Sequence, residues 1–310
     1  MRNAFADEVT KLSMDDSRIV ILSGDIGNKL FDKFKEQSGK SFFNCGVAEA
    51  NMMGVAAGMA LSGLRPIIYT ITPFTTTRCY EQIRIDACYH NVPVIIVGTG
   101  SGFTYAELGP THHSCEDLAI MRVLPNMTVL APADEVELRQ CLRAALKQKS
   151  PVYIRIGKKG EAVTAKKNDH FEIGESITVR EGSDICLIST GILLPIVMKA
   201  AENLSSQGVS VRVESFHTVK PLDEKTINDV FSRYPVVAVA EEHSRVGGLG
   251  SNISEWLARQ APMKGRLITF GVDDEFMHEV GSQNYARKKY GLTEENISRQ
   301  IFTAYKDASI

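Results

Sequence analysis

The sequence contains no Cys-x-x-Cys pair and no cysteine spacing that is typical of a structural zinc site. Its cysteines are scattered, and several lie in apolar segments, as reduced, buried thiols of a cytoplasmic protein do. The six are Cys45, Cys79, Cys88, Cys115, Cys141 and Cys186. We therefore expect neither a disulfide framework nor a zinc site, and we predict a cytoplasmic location.

An excess of one charge and long apolar runs are also absent. The 35 basic and 37 acidic side chains leave a formal net charge of -2, which gives no broad electrostatic case for nucleic acid or an anionic membrane. No apolar run reaches the roughly 20 residues that a membrane-spanning helix needs. Residues 1–8 are amphipathic and carry early acids, so we do not expect a signal peptide.

Several motifs that hold cofactors or nucleophiles are missing as well. The sequence has no strand–Gly-x-Gly-x-x-Gly–helix pattern, no Gly-x-x-x-x-Gly-Lys-Ser/Thr loop and no Gly-x-Ser-x-Gly elbow. It also lacks the Gly-Asp-Gly run, followed by Asn, that holds a divalent ion and a diphosphate in thiamine enzymes. Adjacent His112 and His113 are not spaced to ligate one metal from a single helix face. We therefore predict no metal site within this chain.

The patterns that are present predict two α/β domains. The chain has 310 residues, of which 44% are hydrophobic and 23% charged, a size and balance that suit two globular units. Apolar runs alternate with helical patterns and glycine-rich loops, as in a doubly wound parallel sheet. We predict a first domain over 1–165, a linker over 166–182 and a smaller α/β domain over 183–310. In the first domain the predicted strands are 19–22, 41–45, 67–71, 94–97, 127–130 and 151–155.

The stretch 42–60 organises the first domain around one carboxylate. Glu49 is the only charge between Lys40 and Arg65, and a helix of small residues and methionine follows it. An apolar frame favours burial of Glu49, which is costly unless another group pairs with it. The alternative interpretation is a glutamate at the start of a helix, which the helix dipole stabilises. The sequence leaves both interpretations open.

Four candidate groups follow the strands of the first domain. They are Asp25, Glu49, Phe74 and His112. Because ligands bind beyond the carboxyl ends of parallel strands, we expect these groups to converge on one crevice. A carboxylate, an aromatic ring and a histidine suit a flat, weakly basic heterocycle. The alternatives are a turn-forming Asp25 and a core Phe74, and we expect one of the two adjacent histidines to be structural.

Two arginines are candidates for binding a phosphate group. The guanidinium groups of Arg2 and Arg155 have the planar donor geometry that fits phosphate. The alternative is that both are surface charges, with Arg2 frayed at the chain terminus.

Several segments together resemble transketolase, and more narrowly the C-terminal subunit of a split, two-chain transketolase. They are 43–51, which contains Glu49; the Gly-Pro-Thr-His-His loop at 109–113; the segment 124–134; and the segment 241–251. They cover nearly the whole chain in the expected order. The 1-deoxyxylulose-5-phosphate synthases and the beta subunits of 2-oxo acid dehydrogenases share the architecture but are less similar in these segments.

The resemblance implies a pyrimidine-binding domain followed by the transketolase C-terminal domain. It implies thiamine diphosphate as cofactor, with its diphosphate and Mg²⁺ held by a separate N-terminal subunit. It also implies a homodimer core that binds two such partner chains in a heterotetramer. The expected reaction is transfer of a two-carbon ketol unit between phosphorylated or modified sugars. The alternatives are a 1-deoxyxylulose-5-phosphate-synthase-like or 2-oxo acid dehydrogenase beta-subunit-like enzyme, or a non-catalytic partner-binding subunit.

The resemblance also assigns roles to single residues. Glu49 corresponds to the glutamate that hydrogen-bonds a ring nitrogen of the aminopyrimidine and favours its imino form. Phe74 corresponds to the aromatic residue that stacks on the pyrimidine, and Asp25 to an aspartate beside the cofactor. His112 corresponds to the histidine that contacts the substrate, so the predicted catalytic residues are Glu49 and His112. We assign adjacent His113 to substrate binding.

The predicted phosphate site matches the family only in part. Arg2 and Arg155 correspond to the two arginines that grip the sugar phosphate. The family has an acid just before Gly109, where this chain has Leu108, and a phosphate-binding histidine where it has Gly100. These departures favour a modified sugar, such as a nucleotide-linked or deoxy sugar, over the usual pentose phosphates.

Overall fold

A computed structural model describes residues 1–27, 29–158, 161–164 and 171–308. The strands are β1 (Ile19–Ser23), β2 (Phe42–Asn44), β3 (Arg65–Ile71), β4 (Ile95–Thr99), β5 (Thr128–Leu130), β6 (Val152–Ile156), β7 (Ile177–Arg180), β8 (Ile185–Thr190), β9 (Val211–Ser215), β10 (Thr218–Lys220), β11 (Val236–Ser244) and β12 (Arg266–Val272).

The α-helices range from one to four turns. They are α1 (Arg2–Asp15), α2 (Asp32–Ser38), α3 (Glu49–Leu61), α4 (Thr72–Thr75), α5 (Tyr80–Gln82), α6 (Asp117–Arg122), α7 (Glu135–Ala145), α8 (Leu194–Ser205), α9 (Glu224–Arg233), α10 (Leu249–Leu257), α11 (Gln283–Lys289) and α12 (Glu294–Ala308). A π-helical segment, Ile83–Tyr89, continues α5. None of the helices in the described part of the chain has the length and apolar character that crossing a bilayer requires.

The first sheet has seven strands in the order β10-β5-β6-β4-β3-β1-β2. Strands β1 to β6 run parallel, and Ile21 pairs with Phe42 on one side and with Ile67 on the other. The predicted parallel, doubly wound architecture is therefore confirmed. Because β4, β3, β1 and β2 are neighbours, the segments that follow them leave the sheet along the same edge. This edge holds the candidate site.

The second sheet has five strands in the order β12-β11-β8-β9-β7. All are parallel except β7, which pairs antiparallel with β9. β7 lies inside the stretch 166–182 that the sequence predicted as a linker, and residues 166–170 of that stretch lie outside the described residues. β10 also leaves the second unit and pairs antiparallel with β5 of the first sheet. A strand from the second half of the chain therefore completes the first sheet.

The strands at the centre of both sheets are covered on both faces, which explains their unbroken apolar runs. β1, β4, β6 and β8 are buried along their whole length. Under the first sheet Phe5 of α1 stacks on Tyr69 of β3, with ring centroids 5.4 Å apart. This packing holds the strand ends at fixed positions.

Helix α3 carries the candidate carboxylate and packs on the first sheet by one face. Its buried residues are Glu49, Met52, Met53, Ala56, Ala57 and Ala60. Val55, Gly58 and Leu61 lie on the opposite, exposed face. The helix ends at Ser62, followed by Gly63 at φ +92°, a conformation that glycine adopts without steric strain. The buried alanines let the second half of α3 pack closely on the sheet.

Candidate active site

Glu49 is the first residue of α3 and is only 2% exposed. The turn before it depends on Gly46 at φ +64°, whose backbone N–H donates to Oδ1 of Asn44. A carboxylate in the first helical turn interacts favourably with the helix dipole. The two interpretations left open by the sequence are therefore compatible, because this glutamate is both buried and at a helix start.

Arg78 is the ion-pair partner of Glu49. Its Nη1 lies 3.0 Å from Oε1 of Glu49, and the arginine side chain is 42% exposed. The second carboxylate oxygen, Oε2, is buried and has no hydrogen-bond partner among the described residues. A buried carboxylate oxygen without a donor is an unsatisfied acceptor, and a donor from a bound ligand would satisfy it.

Phe74 lies on the other side of the same guanidinium group. The Cζ atom of Arg78 is 3.9 Å from the centroid of the Phe74 ring, a cation–π contact. Phe74 belongs to the one-turn helix α4, which follows β3 directly and contains Pro73 in its first turn. The ring is half-buried rather than part of the closed core, so the structure places it at the predicted crevice.

His112 completes the cluster. Its ring meets Phe74 edge-to-face, with centroids 5.3 Å apart at 69°. Nδ1 lies 2.9 Å from the Thr111 hydroxyl. Partial burial lowers the pKa of His112, and the neighbouring His113 and Arg78 lower it further. The imidazole is therefore neutral at physiological pH, and Nε2 can act towards a ligand as donor or acceptor according to the tautomer.

Two predicted site residues have other surroundings. Asp25 is exposed at the carboxyl end of β1, adopts φ +46° and accepts a hydrogen bond of 3.0 Å from Asn44. It lies at the same sheet edge as Glu49. His113 is buried, with Nε2 3.3 Å from the Ala106 carbonyl oxygen and its ring edge-on to Phe103. From the sequence we assign His113 to substrate binding, whereas these contacts are those of a side chain packed in the interior.

The predicted phosphate-binding role of Arg155 does not fit its geometry. The side chain is 2% exposed and lies 3.0 Å from Asp117 in an ion pair. Its Nη2 also donates to the backbone carbonyls of Ser114 and Glu242, at 2.6 and 2.8 Å. A phosphate would have to displace these interior partners. Arg155 is therefore neither a surface charge nor accessible to a phosphate group. Its hydrogen bonds join the first unit to β11 of the second.

Arg2 remains compatible with the prediction. It is the first residue of α1 and half-buried, and its Nε is buried without a hydrogen-bond partner among the described residues. The terminus before it is anchored, since the Met1 ammonium group lies 2.7 Å from Glu161. This anchoring contradicts the alternative of a frayed end.

The two departures from the family pattern have different structural contexts. Leu108 is 51% exposed in a short 3₁₀ turn, Ala106–Leu108. Gly100 adopts φ +93°, and a Cβ there would lie 2.2 Å from the Tyr105 ring. With Tyr105 in this position, no side chain can occupy position 100.

Arg78 is the site residue that the sequence analysis missed. Helical spacing gives no signal for it, because α4 ends at Thr75 and Arg78 lies in the separate 3₁₀ turn Thr77–Cys79. The ion pair with Glu49 spans 29 positions of the chain and follows only from the fold. No group of three or more acidic, histidine or cysteine side chains within the described ranges is arranged to hold a metal ion.

Comparisons with known proteins agree with the fold. Residues 1–160 match the family described as transketolase, pyrimidine binding domain, and residues 174–297 match transketolase, C-terminal domain. The chain superposes on the solved structure described as split gene transketolase, inactive beta4 tetramer, with a TM-score of 0.87 and 32% identity, covering 99% of this chain and 97% of that one.

Two similar full-length relatives are subunits of split transketolases. One is the 6-deoxy-6-sulfo-D-fructose transketolase subunit SqwH of Clostridium sp. (strain MSTE9), 37% identical over 96% of this chain and 92% of the relative. Another is a subunit of the apulose-4-phosphate transketolase of Phocaeicola vulgatus, 31% identical over 96% of this chain and 95% of the relative.

A further relative is longer than this chain. The 1-deoxy-D-xylulose-5-phosphate synthase of Aquifex aeolicus is 34% identical over 98% of this chain, which spans only 48% of that enzyme. Both domain matches and the full-length similarity to separate subunits lead to one conclusion. The chain belongs to the transketolase family and corresponds to the C-terminal subunit of its split members.

Proposed function

We propose that this chain is the C-terminal subunit of a two-chain, thiamine-diphosphate-dependent transketolase that transfers a two-carbon ketol unit between sugars. Membership of the family implies dependence on this cofactor. One observation carries the proposal for this chain. Glu49 is buried and pairs with Arg78, which also contacts Phe74 next to His112, and among the described residues no donor reaches its Oε2. An aminopyrimidine ring offers the in-plane hydrogen bond and the flat face that these residues lack.

The residues of this chain have separable tasks in the proposed site. Glu49 would accept a hydrogen bond from a ring nitrogen of the bound pyrimidine at Oε2, the carboxylate oxygen that has no donor among the described residues. Phe74 supports the ring by stacking, and Asp25 lies beside it at the neighbouring strand end. Neutral His112 contacts a substrate oxygen next to Phe74. The bound cofactor supplies the carbanion chemistry that the protein side chains cannot provide.

We further propose that the site is completed by an N-terminal partner subunit. This chain lacks the motif that binds a diphosphate and Mg²⁺, so both groups are assigned to the partner. The related split-gene structure is described as a beta4 tetramer, which supports self-association of this type of subunit. We therefore propose a heterotetramer with a homodimer core, located in the cytoplasm, in which the second domain begins before β7 rather than at residue 183.

The proposed substrates are phosphorylated or modified sugars. The names of the two split relatives specify a sulfo-substituted deoxy sugar and a sugar phosphate, which supports an anionic group on the substrate. Arg155 pairs with Asp117. Arg2, whose Nε has no hydrogen-bond partner in the described part of the chain, is therefore the remaining predicted arginine for such a group. We give Arg155 no part in substrate binding.

The first prediction concerns cofactor binding. The subunit should be purified alone and with the protein from a neighbouring reading frame that carries the diphosphate motif. We expect Mg²⁺-dependent binding of thiamine diphosphate, measured by calorimetry, by the complex and not by the isolated chain. Glu49→Gln should abolish ketol transfer while the complex remains assembled, as gel filtration would show.

Two outcomes would contradict this assignment. Tight Mg²⁺-dependent binding by the chain alone would exclude a diphosphate site in the partner. Substantial turnover by the Glu49→Gln complex would exclude the proposed role of the Glu49 carboxylate. Glu135→Gln, at an exposed glutamate on α7, is the matched control and should leave both measurements unchanged.

The second candidate function is that of a 1-deoxyxylulose-5-phosphate synthase. The identity of 34% to such an enzyme favours it, although this chain spans only about half of that protein. The two functions differ in their donors. Release of CO₂ from pyruvate by the complex would favour the synthase, whereas transfer from 6-deoxy-6-sulfo-D-fructose or fructose 6-phosphate without CO₂ release would favour the transketolase.

A further inference from the structure

Arg78 lies in the space between the two side chains assigned to the cofactor ring. Its Nη1 is 3.0 Å from Oε1 of Glu49, and its Cζ is 3.9 Å from the Phe74 ring centroid. A guanidinium group is planar, donates hydrogen bonds in its plane and stacks on aromatic faces. Arg78 therefore presents to Glu49 and Phe74 the same two features as an aminopyrimidine, a hydrogen-bonding edge and a flat face.

The ion pair is strongly asymmetric in its burial. Glu49 is 2% exposed, whereas the Arg78 side chain is 42% exposed. A buried carboxylate needs a partner, because an uncompensated charge in the interior is strongly destabilising. The arginine has no such need, since its guanidinium group can move into solvent and be hydrated there. The pair can thus open by movement of Arg78 alone, provided that another group then satisfies Glu49.

The positive charge of Arg78 also affects the neighbouring His112. His112 packs edge-on against Phe74, and the Arg78 cation contributes to its lowered pKa. Arg78, Phe74, Glu49 and His112 therefore form one continuous cluster. A change in the position of Arg78 would alter both the partner of Glu49 and the electrostatic environment of His112.

We propose that Arg78 is a displaceable stand-in for the aminopyrimidine ring. It compensates buried Glu49 and covers Phe74 in the cofactor-free subunit, and the ring takes its place while the guanidinium group moves to solvent. The inference rests on the proposed function, because it assigns the same pocket to the cofactor. It adds that the free energy needed to break the Arg78–Glu49 pair weakens cofactor binding.

The first test uses the chain alone and needs no cofactor. Urea unfolding of the wild type, Arg78→Gln, Glu49→Gln and the double variant forms a double-mutant cycle. We expect a coupling of about five-fold in the unfolding equilibrium constant, the size typical of a pair with one exposed member. The pKa of His112, followed by NMR of its ring protons, should rise in Arg78→Gln because a nearby positive charge is lost.

The second test uses the assembled complex and thiamine diphosphate with Mg²⁺ as the probe. If the ring must displace Arg78, Arg78→Gln should lower the dissociation constant by about five-fold, the same factor as the coupling. Arg84→Gln is the matched control, because Arg84 is exposed on the following helical segment and pairs with Glu81 instead. That variant should leave the affinity unchanged.

The outcomes separate this inference from the proposed function. Absence of coupling in the chain alone, or equal affinity of wild type and Arg78→Gln for the cofactor, would overturn the stand-in role and leave the cofactor assignment intact. Weaker binding by Arg78→Gln would overturn it by making Arg78 a cofactor ligand. Failure of the wild-type complex to bind thiamine diphosphate would overturn both, whatever the coupling.

Discussion

Glu137 is a second buried carboxylate, and its surroundings differ from those of Glu49. It lies in α7 with no cationic partner among the described residues, and it accepts hydrogen bonds from the Ala133 N–H at 2.7 Å and the Ser215 hydroxyl at 2.6 Å. Burial raises its pKa from 4.5 to about 7, because the charged form loses its hydration. Ser215 belongs to β9, so this carboxyl group bridges the two units.

The raised pKa predicts a stability that falls as the pH rises. The folded protein binds the Glu137 proton more tightly than the unfolded chain, so its contribution is complete below pH 4.5 and is lost towards pH 7. Glu137→Gln keeps a neutral side chain and an acceptor. Between pH 5 and pH 8 the variant should gain up to about 3 kcal/mol relative to wild type, as measured by urea unfolding.

The control for this prediction is Glu135→Gln, at an exposed glutamate of the same helix. Its stability relative to wild type should not change over this pH range. Parallel pH profiles for wild type and Glu137→Gln would show that Glu137 is ionised with equal ease in both states, against the prediction.

At the residue scale, the convergence of Glu49, Phe74 and His112 could be predicted because each follows a strand of one parallel sheet. The environment of Arg155 could not be predicted in the same way. Its partners Asp117 and the Glu242 carbonyl are distant in sequence and meet it only when the two units pack. Sequence patterns predict at which edge of a sheet a residue lies. They do not predict which buried charge will pair with its side chain.

At the scale of the helix, α3 contains a glycine with space around it. Gly58 is exposed, and a Cβ there would meet nothing within 4 Å. We expect Gly58→Ala to stabilise the isolated chain by about 0.5–1 kcal/mol, because alanine loses less backbone entropy in a helix. The free energy of urea unfolding tests this expectation.

Gly46 is the matched control in the loop before the same helix. A Cβ there also meets nothing within 4 Å, but the residue adopts φ +64°. Gly46→Ala should therefore destabilise the chain by about 1–2 kcal/mol, the cost of a left-handed conformation. Destabilisation by both substitutions would contradict the expectation that position 58 has space for a side chain.

The apolar strands of the first domain were predictable, whereas the short strands β7 and β10 were not. The predicted strands 19–22 and 67–71 correspond to β1 and β3. β7 and β10 have four and three residues with mixed polarity, too few for a periodic signal. These segments are extended because they pair with β9 and β5, and their own composition does not favour a strand.

At the scale of the whole molecule, Glu242 joins the two units from within the interface. Its side chain is 1% exposed and accepts hydrogen bonds from the Phe103 N–H at 2.7 Å and Gln283 at 2.8 Å. Nε of Arg287, in α11, is its ion-pair partner. The carboxylate thus connects a loop of the first unit with β11 and α11 of the second.

Removal of the arginine should be costly. Arg287→Ala leaves a buried carboxylate without its cation, so we expect a loss of about 3 kcal/mol in the free energy of unfolding. Arg299→Ala, at an exposed arginine of α12 that bonds to Asn296, should change it by less than about 0.5 kcal/mol. Equal effects of both substitutions would refute the special role of Arg287.

The crossing of β10 into the first sheet limits how this polypeptide can be divided. Thr218 and Lys220 hydrogen-bond along β5, so a fragment ending near residue 165 would leave one border of that sheet bare. An exposed edge strand can pair with strands of other molecules. Such a fragment would be prone to aggregation. A split of the gene between the two halves would expose the same strand edge. The pairing of β10 with β5 therefore predicts that the two halves are stable only as parts of one continuous chain.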